Sequence, residues 1–498
     1  MPGSAHADPA APGLIRAAAR RPSAASEDSY SPLALQTEPL HFASTLASVP
    51  TDSHVCSDQL LGQFVEGYAS TVKRGGDMAL LPSFSWILQL PELKGSNRAF
   101  DMAALALSSA GLGREHQDVA LLQNATVAYG RALASLQLQL NHPTLAGQTK
   151  TLFTCLTLIL FQILGGRKED WMSHVKGVAE LVRLRGPISY ATDIDHALFR
   201  SCRVNLVLAA LCSLQPTFLA SEPWRRKPWS ITPKTDYDSM IDRMTLLPAL
   251  LARCRKISQI AEAKEQALAR ECIIKDCWHL ESEFFKWHES LSLSIRSFSL
   301  VNSFLELEGE RTHRGVFPQS YDFVNLGAAH LHTMYWASLL VIYNILKLNL
   351  QALQAVETSY YWPPHPAALR CRECYADFKA NPSDCNNGCQ CDFMKSQPRF
   401  DISHLRVLSN EQDPVATATK ICMSMAYCLQ HTFKAMGGYY TLFPLKMAMG
   451  TFTANLPMTE AKLAWCYTVV GLLERRGLQF SKKMLGIYEG REFGGFAG

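Results

Sequence analysis

Five cysteines crowd into 21 positions in the last third of the chain: Cys371, Cys374, Cys385, Cys389 and Cys391. Thiolates are zinc ligands, and Cys371-x2-Cys374 has the spacing with which two of them grip one ion. The second half does not repeat that spacing, because Cys385-x3-Cys389-x-Cys391 is not another C-x2-C. A binuclear zinc cluster needs six cysteines, and five stand here; His365 or His404 is what could complete a smaller ligand set. A zinc site, local disulfides and an incidental cysteine-rich loop all stay open, with the incidental loop the favoured reading.

Asp236, Asp238 and Asp242 form a second group. Hard cations such as magnesium take carboxylate oxygens, and all-α terpene cyclases hold a diphosphate through such a patch. The spacing is poor for that, Pro233 stands just before it, and no partner Asn/Ser/Glu motif follows. A capped helix start is the better reading. No Gly-x-Ser-x-Gly elbow, GxxxxGK[ST] loop or GxGxxG loop occurs. "MGGYY" (436–440) and "RGGD" (74–77) read as turns. Trp278, Phe284, Phe285 and Trp287 read as core or interface residues, and His279 and His288, nine apart, do not share a helix face. The basic pieces Arg225-Arg226-Lys227 and Arg475-Arg476 are too short to track several phosphates. No catalytic, cofactor-binding or metal-binding residue is assigned, no cofactor is expected, and the chain is not read as an enzyme.

Composition sets the frame for these groups. The chain has 498 residues, 48% hydrophobic and 18% charged, enough to bury a large core. Its net charge of +4 is too small to argue for nucleic acid by itself. No apolar run is expected to reach membrane-spanning length; the best, Leu152–Leu164, contains Thr154, Thr157 and Gln162 and reads as a buried helix. The other ten cysteines, among them Cys155, Cys202, Cys212, Cys422 and Cys466, sit singly in apolar helical patterns. They read as small core residues in a reducing compartment.

Residues 1–56 are rich in Ala, Pro and Ser and read as a disordered tail. Within them "LIRAAARRPSAAS" could be a mitochondrial address, but a solvated tail is the better reading. From Ser57 the period becomes helical, with Ser57 or Asp58 as a cap. Helices are expected over "AFDMAALALSSAGLG", closed by Gly111, over 119–140, and over "QTKTLFTCLTLILFQILGG", apolar almost all round. Further ones are expected near 193–214, 242–262, 265–290 and 322–355, and in three segments after 414. Residues 221–238, with three prolines, and 360–401 read as loops. Strand patterns are nearly absent.

"GGRKEDWMSHVKGVAELVRLRGP" (165–187) looks at first like a phosphate loop, but no strand precedes it. Gly165-Gly166 reads as a helix stop and Asp170 as the next cap. Trp171, Val175, Val178, Leu181 and Val182 fall on one face, Lys176, Glu180 and Arg183 on another, and Gly186-Pro187 ends the helix. The pattern predicts an antiparallel helix hairpin.

That hairpin with the helix before it, then "FLASEPWRRKPW", "LPALLARCRKI", "AAHLHTMYWASLLVIYN", "ATKICMSMAYCL", "YTLFPLKMAMGTF" and "AWCYTVVGLLERRG", resembles in order the fungal-specific transcription factor domain. The resemblance covers roughly residues 57–485. It implies an all-α fold: a large multi-helix regulatory domain of packed antiparallel helix pairs over 57–485, with the cysteine-rich insert at 360–401, a disordered tail at 1–56 and a C-terminal tail at 486–498. It also implies a nuclear regulator of transcription, often a homo- or heterodimer, controlling metabolic or secondary-metabolite genes, with a small-molecule effector and no membrane association. In that family a Cys-x2-Cys-x6-Cys half, repeated once, lies near the N-terminus. Residues 1–55 contain no cysteine, so DNA is expected only through a partner or a missing N-terminal zinc cluster. The alternative is a non-DNA-binding helical accessory or scaffold protein.

Overall fold

The computed structural model describes residues 53–75, 85–95, 97–142, 144–165, 168–303, 305, 315–361 and 402–478. Residues 1–52 of the expected tail, the five cysteines at 371–391, Gly166 and the segment 486–498 lie outside them, while 53–56, expected in the tail, are helical. The described residues are mostly helical, as expected.

Helix α1 (Ser53–Gly75) begins before Ser57 and Asp58, so neither caps it. Lys94 Nζ instead donates to Ser57 Oγ at 2.7 Å and to the Asp58 carboxylate. Helix α2 (Arg98–Glu115) is capped by Asn97, whose side chain accepts from Phe100 N at 3.1 Å. It does not stop at Gly111. That glycine lets α1 approach, since a Cβ there would stand 2.5 Å from the Phe64 ring. Gln117, at φ 56°, turns the chain, and Asp118 caps α3 (Val119–Leu140) through Ala120 N and Leu121 N.

Helix α4 (Thr149–Gly165) buries Leu152, Phe153, Leu156, Leu158, Ile159 and Ile163, so it is enclosed on all sides. Helix α5 (Lys168–Arg185) packs on it. Its stripe Trp171, Val175, Val178, Leu181 and Val182 is buried, while Lys176, Glu180 and Arg183 are exposed, as the periodicity predicts. Each such side chain contributes roughly 1.5–3 kcal/mol on full burial. Asp170 lies inside the first turn rather than capping it, and Gly186, at φ 75°, ends the helix before Pro187.

Helix α6 (Asp193–Ser213) follows. The expected loop 221–238 holds a helical turn over Glu222–Arg226 and a 3-10 turn over Lys227–Trp229. Pro223 and Pro228 start these turns, where the missing N–H costs nothing. Buried Trp224 pins them among Tyr190, Phe199 and Phe218. The single helix expected over 242–262 is two, α7 (Asp236–Met244) and α8 (Leu247–Ile257), because Pro248 opens the second. Helix α9 (Ala263–Ser290) buries Phe284 and Trp287, while Phe285 is exposed and Trp278 stacks under Arg406 at 3.8 Å.

Two strands were not expected. β1 (Phe298–Val301) pairs antiparallel with β2 (Ser320–Phe323), Phe298 opposite Phe323. Helix α10 (Leu326–Tyr361) begins after β2. Against the expectation from apolar runs, its segment Leu326–Ala355 is long and apolar enough to cross a membrane. It is instead the central core helix, packed by α8 and α9 and by three later elements. These are α11 (Pro414–Met423), capped by Asp413, a short turn Met425–Cys428, and α12 (Lys434–Thr453). "MGGYY" is therefore not a turn but lies inside α12. A Cβ on Gly437 would stand 2.0 Å from the Cys428 carbonyl oxygen, so glycine is what allows that packing. Helix α13 (Glu460–Arg475) closes on α12. One hydrophobic core runs from Leu61 to Leu478.

Candidate functional site

The polar chemistry of the described residues concentrates where α6 meets α7. Thr235 caps α7 through a capping box: its Oγ1 accepts from Asp238 N, and the Asp238 carboxylate accepts from Thr235 N at 3.1 Å. The helix start expected for the aspartate group is thus present. The carboxylates of Asp238 and Asp242 are committed to cations rather than left open for a metal. Arg200 Nε donates to Asp238 Oδ1 at 3.0 Å, and Arg200 Nη2 donates to Thr235 Oγ1 at 3.1 Å. Arg203, 1% exposed, donates to the Asp242 carboxylate and to the Asp238 carbonyl, the latter at 3.3 Å. Lys234 donates to the other Asp242 oxygen. The Trp229 ring covers this group, 4.4 Å from the Arg203 guanidinium and 4.9 Å from Lys234 Nζ. Burial pushes the Asp238 carboxyl up, but Arg200 and Arg203, with bonds from Arg200 and Thr235, outweigh it and hold it below its ordinary value. Burial raises that of Asp236. Three cations against two carboxylates make a charged lock between the helices.

Tyr237, between the locked residues and α10, stacks on His330 at 5.7 Å. His330 belongs to a junction of α4, α5, α6, α10 and α12. Ile163, Trp171, Asn205, Met334, Tyr439 and Phe443 are among its lining residues. Its volume is about 20 Å³, room for one water molecule. Tyr439 Oη donates to Asn205 Oδ1 at 3.2 Å across one wall. Both His330 nitrogens are buried and have no hydrogen-bond partner, and the Tyr440 ring lies 4.0 Å away. Burial drives the imidazole down to about 3. It is neutral at physiological pH, too weak a base for proton transfer there, yet able to donate one hydrogen bond and accept another. The arrangement is suited to binding and repacking.

Other residues singled out in the sequence are placed as follows. The five cysteines at 371–391, with His365, lie outside the described residues. His404 lies 3.7 Å from a Glu271 carboxylate oxygen. Among the described residues no three His, Cys, Asp or Glu side chains are grouped to hold a metal. Arg226 pairs with Glu222 on the surface at 3.0 Å, and Arg476 donates to the Leu429 carbonyl. The described cysteines are free thiols; Cys155, Cys202, Cys422 and Cys466 are buried, Cys212 half-buried. Sequence reasoning missed Arg200, Arg203 and His330. The one signal that could have found them is a charged or imidazole side chain on the apolar face of a strongly hydrophobic helix.

The fungal specific transcription factor domain matches residues 84–356. More than half of the chain lies in that match, and the chain belongs to this family. An uncharacterized protein of Emericella nidulans is 27% identical over 205 residues, 39% of this chain and 44% of the relative. The chain therefore spans less than half the length of that relative. No solved structure matches the chain.

Proposed function

We propose that this chain regulates transcription in a fungal nucleus, acting on metabolic or secondary-metabolite genes through a helical effector and dimerisation domain over 57–485. The family match over residues 84–356 carries the reading. In it the chain works as a homo- or heterodimer and reaches DNA through a partner or an N-terminal zinc cluster. The His330 junction supports an effector role, because a neutral imidazole with two unused hydrogen-bonding nitrogens sits where five helices meet. The junction has room for about one water molecule, so a larger small molecule needs its lining side chains to repack. A fluorescent fusion should concentrate in nuclei, and deletion of the gene should change a defined transcript set. An exclusively cytoplasmic fusion with an unchanged transcriptome refutes the proposal.

A second reading is a helical accessory protein that binds no DNA, for instance a decoy dimerisation partner. The spacing of Cys371, Cys374, Cys385, Cys389 and Cys391, wrong for a binuclear cluster, favours it. Gel shifts with the purified chain separate the two, since sequence-specific DNA binding by the chain alone eliminates the accessory reading.

A further inference from the structure

Two positions after His330, and so on the opposite side of α10, His332 meets His288 from the last turn of α9. Their ring centroids lie 5.2 Å apart with planes at 71°. One nitrogen of each ring faces an oxygen of a neighbouring group, within hydrogen-bond distance for His332 only. His332 Nε2 stands 3.0 Å from the Ile295 carbonyl oxygen, so it is the N–H donor and Nδ1 carries the lone pair. His288 Nδ1 faces the Glu289 carboxylate at 3.8 Å. The remaining nitrogens, His288 Nε2 and His332 Nδ1, are buried and have no hydrogen-bond partner. Burial lowers the basicity of both rings, His332 to about 4.

An imidazole held at one nitrogen by a carbonyl or carboxylate and bare at the other is how a metal-ligating histidine is oriented. With zinc–nitrogen bonds of about 2.0–2.1 Å at a tetrahedral angle, two imidazoles on one ion have centroids roughly 5 Å apart. We propose that His288 Nε2 and His332 Nδ1 together bind a zinc-type transition-metal ion, with the Ile295 carbonyl orienting His332 and the Glu289 carboxylate lying beside His288. No third His, Cys, Asp or Glu among the described residues joins them, so the remaining coordination positions fall to water or an external ligand. The Phe298 ring, 4.9 Å from that of His332, places β1 over the site. Metal binding therefore ties the end of α9 to α10 beneath β1.

The test uses cobalt(II) as a visible stand-in for zinc on the full chain. Nitrogen ligation gives weak visible bands, whereas thiolate ligation adds an intense near-ultraviolet band, so the cysteine segment reads separately. A nitrogen-type site of one equivalent is expected to persist when Cys371, Cys374, Cys385, Cys389 and Cys391 are all changed to Ser. Zinc should displace the cobalt, and His288→Gln should abolish the band. His288 is only partly buried, so the variant keeps the fold, which its metal-free melting temperature checks. Zinc should also raise the melting temperature of the five-serine chain, and His288→Gln should remove that rise. A nitrogen-type band or a zinc-induced rise that survives His288→Gln overturns the proposal, as does the absence of both from the five-serine chain.

Discussion

Arg203→Ala tests the charged lock most severely. The side chain is 1% exposed, pairs with Asp242, donates to the Asp238 carbonyl and lies against Trp229. Truncation leaves Asp242 with Lys234 alone and removes one of the two guanidinium groups facing Asp238. Breaking a buried pair by removing one partner costs about 3–5 kcal/mol. The lost contact with the Trp229 face is worth about 0.5–2 kcal/mol, but it overlaps the first term and is not added to it. Against a whole-domain stability of about 5–15 kcal/mol, the loss is large. Urea unfolding followed by tryptophan fluorescence should show a much lower midpoint. The control is Arg226→Ala, whose pair with Glu222 is 79% and 69% exposed and is worth about 0–1 kcal/mol. Arg203→Met with Asp242→Leu should recover most of the loss, because neither charge is then left buried alone. If Arg203→Ala lowers the midpoint no more than Arg226→Ala, the reasoning fails.

Four further outcomes are expected. Burial holds His330 near about 3 and His332 near about 4, whereas unfolded imidazoles titrate near about 6.5. Their stability contribution is therefore full above about pH 6.5 and falls with pH below it, by up to about 1.4 kcal/mol per pH unit for each. Melts between pH 7 and 5 should show this slope, and His330→Phe should flatten it; an unchanged slope contradicts the assignment. The same substitution should stabilise the protein at neutral pH by about 1–3 kcal/mol, since it removes two unpaired buried nitrogens. Gly437→Ala should destabilise by about 1–3 kcal/mol beside the Cys428 carbonyl, whereas Gly130→Ala, in open space on α3, should stabilise by about 1 kcal/mol. Among the described thiols, exposed Cys272 should be alkylated first by iodoacetamide. Cys155 and Cys428, pushed up to about 12 by burial, should stay protected until unfolding, as peptide mass spectrometry can read.

Most helices were legible because a single face had to be buried, as the stripe from Trp171 to Val182 shows. The errors come from contacts with remote partners. Gly111 and the Gly437-Gly438 pair read as punctuation, yet each is a small residue inside a helix, placed under Phe64, Cys428 or Leu478. Nothing local announces those neighbours. β1 and β2 were missed because 18 residues separate them and each is four residues long. Trp224 turned an expected proline loop into packed helical turns. Residues of the site were hidden for a related reason. His330 and Arg203 are lone polar side chains in apolar helices, and only the fold shows that one faces a cavity and the other two aspartates. Asp238 and Asp242 were visible, but their partners Arg200 and Arg203 lie more than 30 positions away.

Tethering is the most direct measurement of the central claim. Residues 57–485 would be fused to an unrelated DNA-binding domain in a fungal host carrying a reporter with the matching operator. A regulatory domain should change reporter expression, up or down, relative to the DNA-binding domain alone. Arg203→Ala, by breaking the lock, should abolish the change. A nuclear, folded fusion that leaves the reporter unchanged in either direction contradicts the account.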